Sequence, residues 1–550
     1  MHSSLIRFCL LYLNLCAAAA AQDSRVLVHL QLDKPDVLTV SYRLPPSCRD
    51  LAFINDGIRP ASADELRRDW QPADDCARVD GQGLHLTKDA CSTARFLVPV
   101  QFRFIDRVYP WAQPIGGGVY AHTQSYAVKP DCGPVDWRFS TLHGTLVING
   151  KRSESDTRLT ADTPDIESMP VLLFDHQEDG GKPLIHIDPA LPNVMATAVM
   201  RSAGDVEQLY SDKMQASHLP THSMVVARAP HGMGWWGDAA NRTTLRLMVQ
   251  ADASPGNIDL LKGFIAHELA HFLQPRDIAN VGRENQALIL EGGAEYLRWY
   301  AQASLGWKTA ADSALDLQRA FNACALATQQ HSWADTPNRG WGKIPYDCGL
   351  AFHAIALADR QTSEAPISLL DNYYHQGRGG TATDFATALE CGSYTPCTPR
   401  WLPRLLNGKE LVTAIFDDFA RHTGLLLQSD VPDPATAESL ARSVFANLMK
   451  QDCQGEVSTW ADPGVVRIGS VKHCKALREG MRIDQVDGLA LISDPNALSL
   501  IEKHCTDQGN VTVALQGGGS VALACSSNAV PHLHFYSAVQ DALIAALDPQ

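Results

Sequence analysis

The sequence predicts a multidomain α+β protein in three parts: an all-β N-terminal domain, a mostly helical central domain and a short β-rich C-terminal module. From Val26 to about Arg158 the chain runs in short alternating segments, VLVHLQL, VLTVSYRL, FLVPVQFRF and GTLVING, separated by Pro, Gly and Asp clusters. That is the period of half-buried strands. From about Asp165 to Leu440 a few strand-like runs, including PVLLF and SMVVARA, give way to long segments with apolar residues at helical spacing. Beyond Cys453 the runs shorten again, through VVRIGSV, ALREGMRIDQVDG, LSLIEKH and NVTVALQ, and read as β-rich. The expected boundaries are 22–160, 161–445 and 446–550, and DVPDPATAESL, from Asp430, reads as a loop between helices. A chain of 550 residues, 45% of them hydrophobic, exceeds one typical core and can bury several.

Met1 to about Ala21 has a short positive start at His2 and Arg7, an apolar stretch from Phe8 to Leu15 and the run AAAAAQ. This is the pattern of a cleavable secretory leader, residues 1–21. No later stretch reaches the roughly 18 apolar residues of a spanning helix, so no integral membrane span is expected. Of the 14 cysteines, Cys9 and Cys16 fall in the leader, leaving an even number in an exported chain. Disulfides and a periplasmic or secreted location are therefore expected. The close-spaced candidates are Cys76 with Cys91, Cys324 with Cys348, Cys391 with Cys397 and Cys505 with Cys525; Cys48 with Cys132 and Cys453 with Cys474 complete a set. No CxxC occurs, which argues against cysteine-bound zinc. A net charge of -15 without a basic stripe argues against nucleic acid and anionic membranes as partners. No feature assigns an oligomeric state.

His267 to His271 read HELAH. The two histidines are four apart, so one helical turn brings both rings to one metal. Glu268 then lies beside the open coordination position, where it can take a proton from a water whose pKa zinc lowers to about neutral. Asn257 and Asp259 open the expected helix, Leu260, Leu261, Phe264, Ile265, Leu269 and Phe272 supply its apolar stripe, and Pro275 stops it. The competing reading is an ordinary amphipathic helix that carries two histidines.

A second helical pattern, Asn285 to Tyr300, reads NQALILEGGAEYLRWY. Glu291 would complete a His, His, Glu set for one Zn2+ ion and leave the fourth position to water. Gly292 and Gly293 each cost about 1 kcal/mol relative to alanine inside a helix, so they imply close backbone approach, read here as docking against the HELAH helix. Glu295, one turn on, is spaced to orient a ligand histidine, with a solvated helix charge as the equal alternative.

HELAH, a spacer of nearly twenty residues and LEGGAEYL resemble the signature of gluzincin metallopeptidases. Within them the chain is most similar to the glycyl aminopeptidase family of bacterial peptidases with a C-terminal PDZ domain. Ile344 to Leu357, IPYDCGLAFHAIAL, resembles that family's Tyr-x-Lys-Gly helix start, and the later DRQTS and SLLDNYY resemble the family's next segments. The resemblance implies a thermolysin-like catalytic domain over 161–445 and peptide or protein substrates. It also makes Tyr346 the residue whose hydroxyl stabilises the oxyanion. Cys348 stands where the family has lysine. Aminopeptidases of this group carry a strand whose glutamate grips the substrate's α-amine. The matching stretch here, GWWGDAANRTTL from Gly234 to Leu245, has Ala239 at that place and Asp238 as its one carboxylate. Trp235, Trp236 and Asp238 are candidate lining of the substrate cleft, and amine specificity stays open.

In the C-terminal module Leu477, Gly480, Ile483, Val486, Asp487 and Gly488 resemble the PDZ turn signature, with Met481 replacing its aspartate. A PDZ groove takes an extended peptide as an added strand. Asp487-Gly488 reads equally as a hairpin turn, and QGGGS, lacking a following lysine, as a hairpin and not a phosphate loop. His353, His375, His532 and His534 read as core or surface histidines. The function expected is an exported zinc metallopeptidase that hydrolyses peptide bonds by zinc-activated water, with aminopeptidase specificity left open by the altered amine-clamp region. The alternatives are a catalytically weak peptide-binding protein using the PDZ-like module, and a zinc endopeptidase or other hydrolase of non-standard specificity.

Overall fold

The computed structural model describes residues 24–548 except 57, 104, 106–107, 176–183, 216–217, 221, 230–234, 276–277, 377–379, 454–456, 463, 472, 495, 526–529 and 531–533. The expected leader and His532 lie outside the described residues. The chain forms two compact units, Met1–Glu207 with Leu219–Phe272, and Gln208–His218 with Leu273–Gln550.

The first unit is built on sheets. In strand Val26–Lys34 every second residue is apolar, so Val26, Val28, Leu30 and Leu32 are buried on one face. It pairs antiparallel with Val37–Arg43 and parallel with Val135–Thr141 inside a six-stranded sheet. A five-stranded sheet adds Pro170–Phe174 between Leu146–Ile148 and Gly118–His122, so the run PVLLF, expected at the head of the helical part, is paired into the β region. Tyr42, Phe96, Tyr126 and Trp137 fill the main core here. A smaller cluster containing Tyr120, Phe174, Val225 and Ala227 ties the five-stranded sheet to a four-stranded one. There Leu184–Ile187, Ser223–Arg228 and Thr244–Val249 run parallel, and Trp236–Ala240 adds an antiparallel edge. The HELAH helix comes next in the chain as Pro255–Leu273. It starts ahead of Asn257, because proline at the first helical position loses no intrahelical hydrogen bond.

The second unit holds the helices Arg283–Ser304, Ala310–Thr328 and Ile344–Ala358, which carry Glu291, Cys324 and Tyr346. Two local readings change. The loop from Asp430 ends at Asp433, whose carboxylate accepts from the Thr436 amide (3.2 Å) and hydroxyl (2.6 Å) and caps the helix Pro434–Asp452. LSLIEKH is helical, inside Asn496–Gln508: its Leu498 and Leu500 mimic strand alternation, but Ala497, Ile501 and Cys505, four apart, are the buried positions. The surrounding strands are β, as expected. Asp487 and Gly488, with φ of 46° and 84°, make the two-residue turn between Arg482–Val486 and Leu489–Ala490. QGGGS turns the hairpin of Asn510–Leu515 and Ser520–Ala524.

All six expected disulfides form: Cys48–Cys132, Cys76–Cys91, Cys324–Cys348, Cys391–Cys397, Cys453–Cys474 and Cys505–Cys525. No described helix is long and apolar enough to cross a membrane.

Candidate metal centre

On the HELAH helix Leu261, Ile265, Leu269 and Phe272 face the core, while Leu260 is 39% exposed, so the apolar stripe is narrower than the pattern suggested. Helical periodicity puts His267 and His271 on one side of the helix, both ring Nε2 atoms converging to 3.2 Å with the rings at 85°. Nitrogen ligands of a tetrahedral zinc, each at about 2.0–2.1 Å, stand about 3.3 Å apart, so the pair fits one ion. His267 and Glu268 are buried and His271 is half-buried. Glu291, the third candidate ligand, is carried by the second unit on the helix Arg283–Ser304. Within that unit Asp452, Cys453 and Cys474 also lie together, but they offer no free thiolates because the two cysteines are joined to each other.

Beside Glu268 runs the edge strand. A Cβ built on Gly237 would lie 3.2 Å from Glu268 Oε1 and 2.8 Å from Leu247, so the strand tolerates no side chain there without displacement. Trp235 packs on Phe264 of the HELAH helix. Asp238 is opposite Arg246 in the register, and Arg246 donates to both its oxygens, Nη2 at 2.8 Å and Nε at 3.2 Å. The guanidinium is fully buried, lies 3.8 Å from the Trp236 ring centroid and 4.6 Å from that of Tyr120, and donates to Gln113 Oε1 at 3.2 Å. Burial raises the Asp238 carboxyl, against the pull of Arg246. Arg246 was legible only as a lone cation in the apolar strand TLRLMV.

In the second unit the glycine pair has a different partner from the one expected. A Cβ on Gly292 would sit 2.3 Å from Gly349 Cα, and one on Gly293 2.0 Å from the Tyr374 hydroxyl. The Glu291 helix therefore meets the Tyr346 helix backbone to backbone, one residue after Glu291 and three after Tyr346. Gln274, just past the HELAH helix, is buried and donates to the Leu290 carbonyl at 2.6 Å and to the Tyr374 hydroxyl at 3.1 Å, a clasp with no sequence signal. Gly292→Ala is expected to lower stability by about 1–3 kcal/mol through overpacking, read as a lower Tm; an unchanged melt would refute this helix contact.

Glu295 pairs with Arg298. Tyr346 is half-buried in the first turn of its helix, which Cys348 ties to Ala310–Thr328 through Cys324. Burial pushes the neighbouring Asp347 carboxyl up from 3.8 to about 6, with Lys343 and Arg298 opposing and Glu295 adding to the rise. The folded state thus holds this proton more tightly than the unfolded chain. The resulting stability is complete below about pH 4 and is lost as the pH rises through 6. Asp347→Asn is expected to flatten that part of the Tm–pH curve; a curve that overlays the parent's would count against it.

His353 is buried with Nδ1 2.7 Å from the Gly349 carbonyl, His375 is exposed, and His534 pairs with Asp430 at the surface. These are the core and surface roles read from the sequence.

No protein-family model matches the chain, and no curated protein matches it in sequence. Among solved structures, an aminopeptidase N family protein from Idiomarina loihiensis matches 95% of this chain and 100% of its own, with a TM-score of 0.59 at 13% identity. The chain shares that fold. The multidomain α+β class expected from the sequence therefore stands. An M1 zinc metallopeptidase from Deinococcus radiodurans matches 70% of this chain and 94% of its own (TM-score 0.38, 14% identity). Aminopeptidase A of Legionella pneumophila, in complex with aspartic acid, matches 70% and 49% (TM-score 0.41, 12% identity). These two overlaps are too loose to bear on the fold.

Proposed function

We propose that the chain is an exported zinc-dependent peptidase of the gluzincin type. The observation that carries the reading is the 3.2 Å convergence of the His267 and His271 nitrogens on a buried helical turn that also bears Glu268. Glu291, on the helix Arg283–Ser304, would complete a nitrogen and oxygen set of the kind that leaves a catalytic zinc one open position. Zinc bound there supplies Lewis acidity toward water and the substrate carbonyl. Glu268 takes the proton of the attacking water and delivers it to the departing amine. Its burial strengthens that exchange by excluding bulk water. Tyr346 donates its hydroxyl to the carbonyl oxygen as charge develops on it. Glu295, held by Arg298, supports the neighbouring ligand turn.

The six disulfides support an oxidising compartment, periplasmic or extracellular, reached through the leader 1–21. The β domain, expected over 22–160, is assigned through Phe174, because Pro170–Phe174 pairs into its five-stranded sheet, and the catalytic domain to the residues after it, up to 445. Residues 446–550 are assigned as a PDZ-like module that captures extended peptide as an added strand. The test is metal removal: the purified chain should carry one zinc, lose peptide hydrolysis to a chelator and regain it on adding Zn2+. Equal hydrolysis by the stripped chain overturns the proposal.

A further inference from the structure

The strand Trp236–Ala240 forms the edge of its sheet beside the proposed base. Strand residues alternate between faces, and Gly237 is aimed at Glu268, so Gly237 and Ala239 share that face while Trp236 and Asp238 take the other. On that other face Arg246 holds both oxygens of Asp238, and the Trp236 ring covers the guanidinium. Asp238 is the one acidic residue of WGDAA. Within the strand Trp236–Ala240, then, the face beside Glu268 carries only Gly237 and Ala239, and the strand's one carboxylate is paired with Arg246 and turned away.

We infer that this site accepts peptides whose scissile residue carries no free α-ammonium, that is, internal or N-acylated peptide segments. The inference rests on the reading of Glu268 as the base of a zinc peptidase. An ammonium brought against this strand would lose water and gain no carboxylate from the strand itself, and the Glu268 carboxylate beside Gly237 is committed to the proton of the attacking water, whereas an amide nitrogen can bond to a strand carbonyl without a charge to compensate. The Asp238–Arg246 pair sets this specificity by removing the only anion the strand could present.

The test compares one peptide library in free and N-acetylated form, incubated with the zinc-loaded full chain and read by mass spectrometry with and without chelator. Acetylated peptides should be cleaved within about tenfold of the free ones, or faster; a site built around the amine would reject them by about 10⁴-fold. Asp238→Asn, which keeps the side-chain shape, should change both rates by the same factor. Chelator-sensitive cleavage confined to free peptides overturns this inference and leaves the peptidase reading intact. A selective loss of free-peptide cleavage in Asp238→Asn also overturns it. No cleavage of either library overturns the peptidase reading and this inference together.

Discussion

Glu268→Gln is expected to keep one zinc per chain and to lose peptide hydrolysis by a factor on the order of 10³, the range a positioned general base contributes. The amide matches the carboxylate in size, so packing beside Gly237 and the convergence of His267 and His271 should be preserved. It cannot accept the proton of the attacking water. Metal analysis together with kcat separates the two quantities. Activity within tenfold of the parent, with zinc retained, removes Glu268 from the chemistry; loss of zinc would make it a structural support of the histidine turn.

Asp238→Ala is expected to destabilise the fold by about 3–5 kcal/mol, because it strands a fully buried guanidinium. Gln113 and the Trp236 and Tyr120 rings remain, but a neutral acceptor and two aromatic faces do not replace a carboxylate holding two nitrogens. For a unit of this size the melting temperature should fall by roughly 10 °C. Removing both charges, as Asp238→Leu with Arg246→Met, should recover most of the loss, since apolar replacements avoid the desolvation penalty that a lone charge suffers. A single variant as stable as the parent would show that the pair contributes little.

Much of the site could be read along the chain because it obeys short periods. His267, Glu268 and His271 need only one turn of helix, and that helix forms where the apolar spacing and Pro275 put it. The start of the Tyr346 helix at Ile344 agrees with Pro345 at its second position. The cysteines pair as spaced, since most lie within a few turns or one hairpin of their partners. LSLIEKH failed for a related reason: over four residues an alternating run and a helical run look alike, and only the longer spacing of Ala497, Ile501 and Cys505 separates them. The cap at Asp433 was missed although its Asp-Pro pair is a helix-start signal.

By itself, then, the sequence determined which residues are candidate donors and base, and the helices that carry them, because those depend on neighbours within a few positions. Only the tertiary structure decided how those residues are used. Gly292 meets Gly349 and not the HELAH helix, Gln274 clasps the Leu290 carbonyl, and Asp238 turns from Glu268 to Arg246. Each of these is a contact made across a turn or between separate elements. Register, the face a strand presents and the closeness of two helices set such contacts, and no local period of the chain encodes them.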